Sequence, residues 1–260
     1  MNLHHSEAIV LHHVNYGEAD RIVSFLTREQ GLLKGFARGA RKSRKRFGTS
    51  LEPFSQVQIH WKASTRGSLV SLQEVDLFDL RIDLRRDPKA LALAAYGCEL
   101  VEVLLGEGQA QPDVFALLRS FLDHIAGADT PHEARLLFDL RMLVLTGYIP
   151  HLLHCADCGG SLSSDRAAFA AVRGGSLCPQ CSGQGEPLQV SPLTLGTLAR
   201  SLQTPITLFE GFRFSEQTLR EGCAVLRSAL HPHLPRPLKS LRFLDRVSAG
   251  SPPAGGAEGG

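Results

Sequence analysis

Apolar and polar residues follow two different periods along this chain. Between residues 6 and 78 the apolar positions come in short runs, 7–14, 21–27, 31–38, 54–62 and 68–78, each of strand length. The fourth is the clearest: Val57, Ile59 and Trp61 alternate with Gln58, His60 and Lys62, the pattern of a sheet with one buried face. Tyr16-Gly17, Glu29-Gln30-Gly31 and Arg66-Gly67 supply turns between the runs. Five such strands cannot bury their apolar faces in a flat sheet, so the pattern predicts closure into a small barrel of the OB type, with a five-stranded SH3-like barrel as the alternative.

After residue 86 the period becomes helical. Asp87 followed by Pro88 predicts a capped helix start, and Leu91, Ala94, Ala95, Cys98, Val101 and Leu105 recur on one face. Further helices are predicted over 112–126, from Thr130-Pro131 with Glu133 to Gly147, from Ser191-Pro192, over 216–230 and over 237–247. The expected fold class is therefore α+β. An OB-fold nucleic-acid-binding domain spans 1–82, and a mostly helical domain spans 83–247. A glycine-rich insert at 150–187 interrupts the helices, and the Ser/Pro/Ala/Gly segment 248–260 is too poor in apolar residues to order itself.

The insert contains the most specific chemical signal. Cys155, Cys158, Cys178 and Cys181 have the spacing C-x2-C-x19-C-x2-C, which suits a tetrathiolate zinc site: each close pair turns two sulfurs toward one ion, and a hairpin over 161–177 brings the pairs together. One Zn2+ with four protein ligands has no open position, so its expected role is structural. Four free thiols or two disulfides are the alternatives. His151 and His154 are near enough to compete as ligands but are expected outside the metal's shell, and Cys98 and Cys223 are expected as small core residues.

Charge alters the picture through its placement. The formal net charge is only +2, yet Lys34, Arg38, Arg41, Lys42, Arg44, Lys45 and Arg46 fall in one acid-free stretch, which leaves the rest of the chain net negative. Carried on the third strand and the loop after it, these seven are expected at the rim of the barrel as a nucleic-acid-binding groove. Contacts there would be to phosphates and largely independent of sequence. Phe36 and Phe47 are both candidates to stack on bases, but Phe36, alternating within a strand, is expected rather in the barrel core, and Phe47 in either place. Arg21, Lys62, Arg66 and Arg81 are candidates to extend that surface, though singly each is expected as an ordinary surface charge. Neither a phosphate-binding glycine loop, nor Gly-x-Ser-x-Gly, nor His-Glu-x-x-His occurs, so an enzyme is not expected. With 43% hydrophobic residues, paired histidines at the start and no long apolar run, a cytoplasmic protein without membrane segments is expected, and DNA binding would make it nucleoid-associated.

The ordered set of these pieces resembles the RecO family of bacterial recombination mediators. The resemblance is carried by Glu7-Ala8-Ile9-Val10-Leu11, Tyr16-Gly17-Glu18-Ala19-Asp20-Arg21, Thr27 with Gly31, Ala37-Arg38-Gly39-Ala40-Arg41-Lys42, Leu51 with Pro53-Phe54, Phe138 with Leu140, Gly147-Tyr148 and Pro237-Leu238-Lys239-Ser240. It implies binding of single- and double-stranded DNA, annealing of complementary strands, and help in loading RecA onto DNA coated by single-strand-binding protein. It implies as partners RecR, the acidic C-terminal tail of single-strand-binding protein and, in some members, RecF. For the tail, Arg141, Lys239 and Arg242 are the candidate cations. A zinc-ribbon protein acting on RNA, or a transcription accessory protein, is the alternative reading of the same residues.

Overall fold

The computed structural model describes residues 2–43, 45–63, 68–127, 131–162, 165–183 and 188–248. Five strands, β1 (Leu3–Tyr16), β2 (Asp20–Thr27), β3 (Gly31–Ala37), β4 (Gln56–Lys62) and β5 (Val70–Asp79), close into a barrel in the order β1-β2-β3-β5-β4. The pairings are antiparallel except β3 with β5, which is parallel. This is an OB-type barrel. Closure depends on the length of β1, whose first half pairs with β4 and whose second half pairs with β2 around a bulge between Val10 and His12. The strand starts earlier than its apolar alternation because pairing with β4 carries its beginning, helped by the His4 ring stacked on Trp61 at 4.5 Å; Leu3 is 56% exposed.

The barrel core includes Val10, Val23, Phe25, Val57, Ile59 and Leu72, each contributing about 1.5–3 kcal/mol on full burial. It also takes in Phe47, which the loop after β3 folds inward. Phe36 does not join it, contrary to expectation. The inward positions of β3 are Gly35 and Ala37; a side chain at Gly35 would lie 2.6 Å from Leu72, so Leu72 and Phe47 fill the space and Phe36 faces outward, half-buried. Gly31 is required on other grounds. Its φ is +68°, and a Cβ there would stand 1.8 Å from the Gln109 carbonyl oxygen.

Six helices follow the barrel in sequence: α1 (Pro88–Leu104), α2 (Pro112–Ile125), α3 (Pro131–Leu145), α4 (Pro192–Ser201), α5 (Glu216–Leu230) and α6 (Lys239–Ser248). Their starts obey the expected chemistry: Asp87 accepts from the amides of Lys89 and Ala90, Ser191 from that of Leu193, and Ser215 from that of Thr218. Thr130, expected as a cap, lies outside the described residues. Packing divides the chain into two compact units. The first holds the barrel, α1 and α6. There the Glu99 carboxylate on α1 accepts from Ser240 N (2.8 Å), Ser240 Oγ (2.6 Å) and Lys239 N (3.2 Å), so α1 caps the start of α6.

The second unit holds most of α2 with α3, α4, α5 and a small sheet of β6 (Ala167–Ala170), β7 (Gly175–Leu177) and β8 (Leu188–Val190) in the order β7-β6-β8. Phe121 of α2 stacks on Phe138 of α3 with ring centroids 4.2 Å apart. No described helix is long and apolar enough to cross a membrane. The tail expected to be disordered lies, beyond the end of α6, outside the described residues.

Candidate nucleic-acid interface and metal centre

The basic loop leaves β3 at Ala37 and is fastened at both ends. At its start, Gly39 N donates to Asp20 Oδ1 (2.7 Å) and Arg41 N to the Ala19 carbonyl (2.9 Å), while Arg41 Nη1 reaches the Glu18 carbonyl (3.0 Å). These bonds lock the loop to the turn between β1 and β2. At its end, the Arg46 carbonyl accepts from Val75 N of β5 (3.0 Å), and Phe47 anchors the chain in the core. Arg46 Nη2 also donates to the Arg38 carbonyl (2.8 Å), and its guanidinium lies 4.9 Å from the Phe47 ring centre.

Between these anchors Ala40 is buried in the core and the described cations are exposed. Arg38, Arg41, Lys42, Lys45 and Arg46 are all exposed, and none forms an ion pair with a described carboxylate. Arg44 lies outside the described residues, as does Arg66. Lys34 is placed differently: its Nζ sits 2.6 Å from Glu107 Oε1, and that hydrogen bond pushes its pKa up. Arg21 pairs with Glu52 at 3.3 Å. Arg81, expected at the surface, is 4% exposed with φ +48°, donating to the Phe54 carbonyl (2.7 Å) and Gln56 Oε1 (3.0 Å). It holds the entry to β4 in shape.

Of the three candidate partner cations, Lys239 and Arg242 are exposed on α6. Arg141 is interior, 1% exposed. Its Nη2 donates to the Leu208 carbonyl (2.7 Å) and Thr204 Oγ1 (3.2 Å), and its guanidinium faces the Phe209 and Phe212 rings at 4.8 and 5.8 Å. Burial lowers its pKa to about 10. The long aliphatic stem that makes arginine useful at a surface here fills space between helix and loop.

The four paired cysteines converge in the second unit. Their sulfurs all lie within 4.8 Å of one another, and those of Cys158 and Cys178 are 3.7 Å apart. Two turns position them: Gly159 N donates to the Cys155 carbonyl and Ser182 N to that of Cys178, while β6 and β7 form the expected hairpin between the pairs. Backbone amides at Cys178 and Cys158 hold the Cys155 thiol down to about 6, whereas the sulfurs of Cys178, Cys158 and Cys155 push Cys181 up to about 12. Four thiolates so close repel one another, and a bound cation is what allows them to ionise together. The set is suited to holding a metal ion. His151 and His154 join through backbone only: His151 N donates to Gly174 O, His151 O accepts from Ser176 N, and His154 bridges Ser161. Cys98 is buried as expected, but Cys223 is half-exposed, lining an open groove of about 820 Å³ with Phe169, Arg220 and Arg227.

One exposed residue escaped the functional reading of the sequence. Tyr16 appeared there as a turn residue, yet it is 57% exposed and meets Phe36 edge-on, ring centroids 5.8 Å apart at 81°.

Comparison with known proteins adds a second line of observation. Residues 1–81 match the family model described as Recombination protein O N terminal, and residues 85–242 match Recombination protein O C terminal. Among relatives, a DNA repair protein RecO of Syntrophotalea carbinolica is 54% identical over 246 residues, covering 95% of each chain. One from Geobacter metallireducens is 37% identical over 93% of this chain and 97% of its own, and one from Myxococcus xanthus 35% identical over 95% and 99%.

Proposed function

Since the chain belongs to the RecO family of DNA repair proteins, we propose that it binds single- and double-stranded DNA through its barrel. On that surface it anneals complementary strands and helps load RecA onto DNA coated by single-strand-binding protein. The observation that carries this reading is the fastened loop with Arg38, Arg41, Lys42, Lys45 and Arg46 exposed and, among the described residues, without an acidic partner. Arg44 belongs to the same run. Lys34 would have to exchange Glu107 for a phosphate, so it contributes least. Two strands repel through their phosphates, and a shared cationic surface lowers that repulsion while leaving the bases free to pair. No covalent step is needed, and no nucleotide is consumed.

The partners proposed are RecR, the acidic tail of single-strand-binding protein, and RecF; the setting is the cytoplasm, at the nucleoid. Lys239 and Arg242 supply exposed positive charge for the tail, whereas Arg141 acts through packing. The metal proposed is one structural Zn2+ held by Cys155, Cys158, Cys178 and Cys181. A tetrahedron with Zn–S bonds of about 2.3 Å has edges of about 3.8 Å, and the Cys158–Cys178 separation of 3.7 Å fits that edge. Bound there, the ion would cross-link the two turns of an insert too small to build a core of its own.

The test is annealing of complementary strands precoated with single-strand-binding protein, with and without this chain. Acceleration by the chain, lost when Arg38, Arg41, Lys42, Lys45 and Arg46 become alanine, is the expected result. No acceleration would refute the reading.

A further inference from the structure

The outer face of the barrel beside the basic loop is apolar where a purely electrostatic surface would be polar. Strand register places Val14 opposite Ile22, and Ile22 opposite Phe36, so the three side chains lie in one row across β1, β2 and β3. On either side along the strands the register changes character. The row His12–Ser24–Lys34 is tied to the α1 side by His12 with Glu102 and Lys34 with Glu107. Toward the basic loop, Tyr16 overhangs the row and meets Phe36 edge-on. Val14 is 49% and Tyr16 57% exposed. Small residues at Gly35 and Ala37 give the inner side of β3 to Leu72 and Phe47, which leaves Phe36 on the outside.

Hydrogen bonds fix the cations next to this row. The turn after Tyr16 is where Glu18, Ala19 and Asp20 receive Arg41 and Gly39, so Arg38, Arg41 and Lys42 emerge at its border. Of the two acids in that turn, Asp20 is occupied by the Gly39 amide, and Glu18, itself exposed, receives Arg41 through its backbone carbonyl. An aromatic pair of exposed Tyr16 and half-buried Phe36, flanked by cations without an ion pair to a described carboxylate, matches a strand whose bases are exposed and whose phosphates run alongside. A duplex has no exposed base faces to offer it.

From this juxtaposition we propose that Tyr16 and Phe36 form a base-stacking platform for single-stranded DNA, which makes the barrel prefer unpaired strands over duplex. The proposal rests on the DNA-binding reading above and deepens it. The basic loop grips either form of DNA, whereas the platform acts only on unstacked bases and releases them when two strands pair. In annealing, that difference favours release of the product duplex.

The experiment compares three labelled probes at one salt concentration: an oligothymidylate, an abasic strand of the same length, and a duplex. The native chain should bind oligothymidylate about fivefold or more tighter than the abasic strand. In Tyr16→Ala/Phe36→Leu that preference should vanish, with abasic and duplex affinities within about twofold of the native values, and Tyr16→Phe should retain it. Tyr16→Ala alone, at an exposed strand end, serves if the double variant melts early. Undiminished preference in the variants would overturn the platform and leave this face to a protein partner, with DNA binding by the loop intact. An equal loss on all three probes would overturn it too, since stacking cannot weaken an abasic strand. A native chain that binds none of them would sink the DNA-binding reading itself.

Discussion

Arg141 carries a positive charge into the interior of the second unit, and its surroundings satisfy it only in part. Nη2 has two acceptors, but Nε and Nη1 have none among the described residues. Truncation to alanine removes the packing on Phe209 and opens a void, so Arg141→Ala should lower stability by about 2–4 kcal/mol. Arg141→Met, which keeps the volume and removes the desolvated charge, should cost much less. Lys239→Ala and Arg242→Ala should stay within about 0.5 kcal/mol of the native chain. Urea titrations check all four, and an unaffected Arg141→Ala would contradict the packing role. A second residue-scale prediction concerns pH. Burial alone would raise the Glu102 pKa, but the hydrogen bond and charge of His12, with Ser24, bring it below the ordinary 4.5. A depressed carboxyl stabilises the fold above its ordinary pKa, and that contribution is lost as pH falls through the lowered value. Glu102→Gln should therefore flatten the acid limb of the stability curve below pH 4.5, by under about 1 kcal/mol. Melting across pH checks it.

At the scale of elements, much was legible where one local rule decided the outcome. The alternation of β4 located a strand and its buried face, Asp87-Pro88 and Ser191-Pro192 located helix starts, and the cysteine spacing located four sulfurs that do converge. What escaped was decided by partners distant in sequence. The first residues of β1 are strand because β4 lies beside them, and nothing in Leu3-His4-His5 announces it. Phe36 and Phe47 have similar hydrophobicity, and only the size of Gly35 and Ala37 against Leu72 determines which ring is enclosed. Arg81 and Arg141 are interior because carbonyl groups from other segments meet them. The insert gives the prediction proper to this scale. If the proposed ion is held there, a chelator should lower the melting of the second unit and expose thiols at Cys155, Cys158, Cys178 and Cys181 to alkylation, while duplex affinity, which the proposed function assigns to the barrel, should change little. Thiol counting with calorimetry checks this; four thiols equally reactive before and after chelation would contradict a tetrathiolate site.

For the whole molecule, the proposed function divides labour between a barrel that would meet nucleic acid and a helical unit that a metal-holding insert would brace. It turns on contact between the exposed cations that follow β3 and DNA phosphates. Five described cations, Arg38, Arg41, Lys42, Lys45 and Arg46, would release counterions on duplex binding with a log–log salt slope of about −4 to −5. The most direct measurement is duplex affinity across a range of salt for the native chain and for a variant with these five residues changed to alanine. The proposed function predicts weaker binding and a slope smaller in magnitude by about 4 to 5 in the variant, with Arg44 and Lys34 left to supply the remainder. An unchanged slope would place the phosphate contacts elsewhere and contradict it.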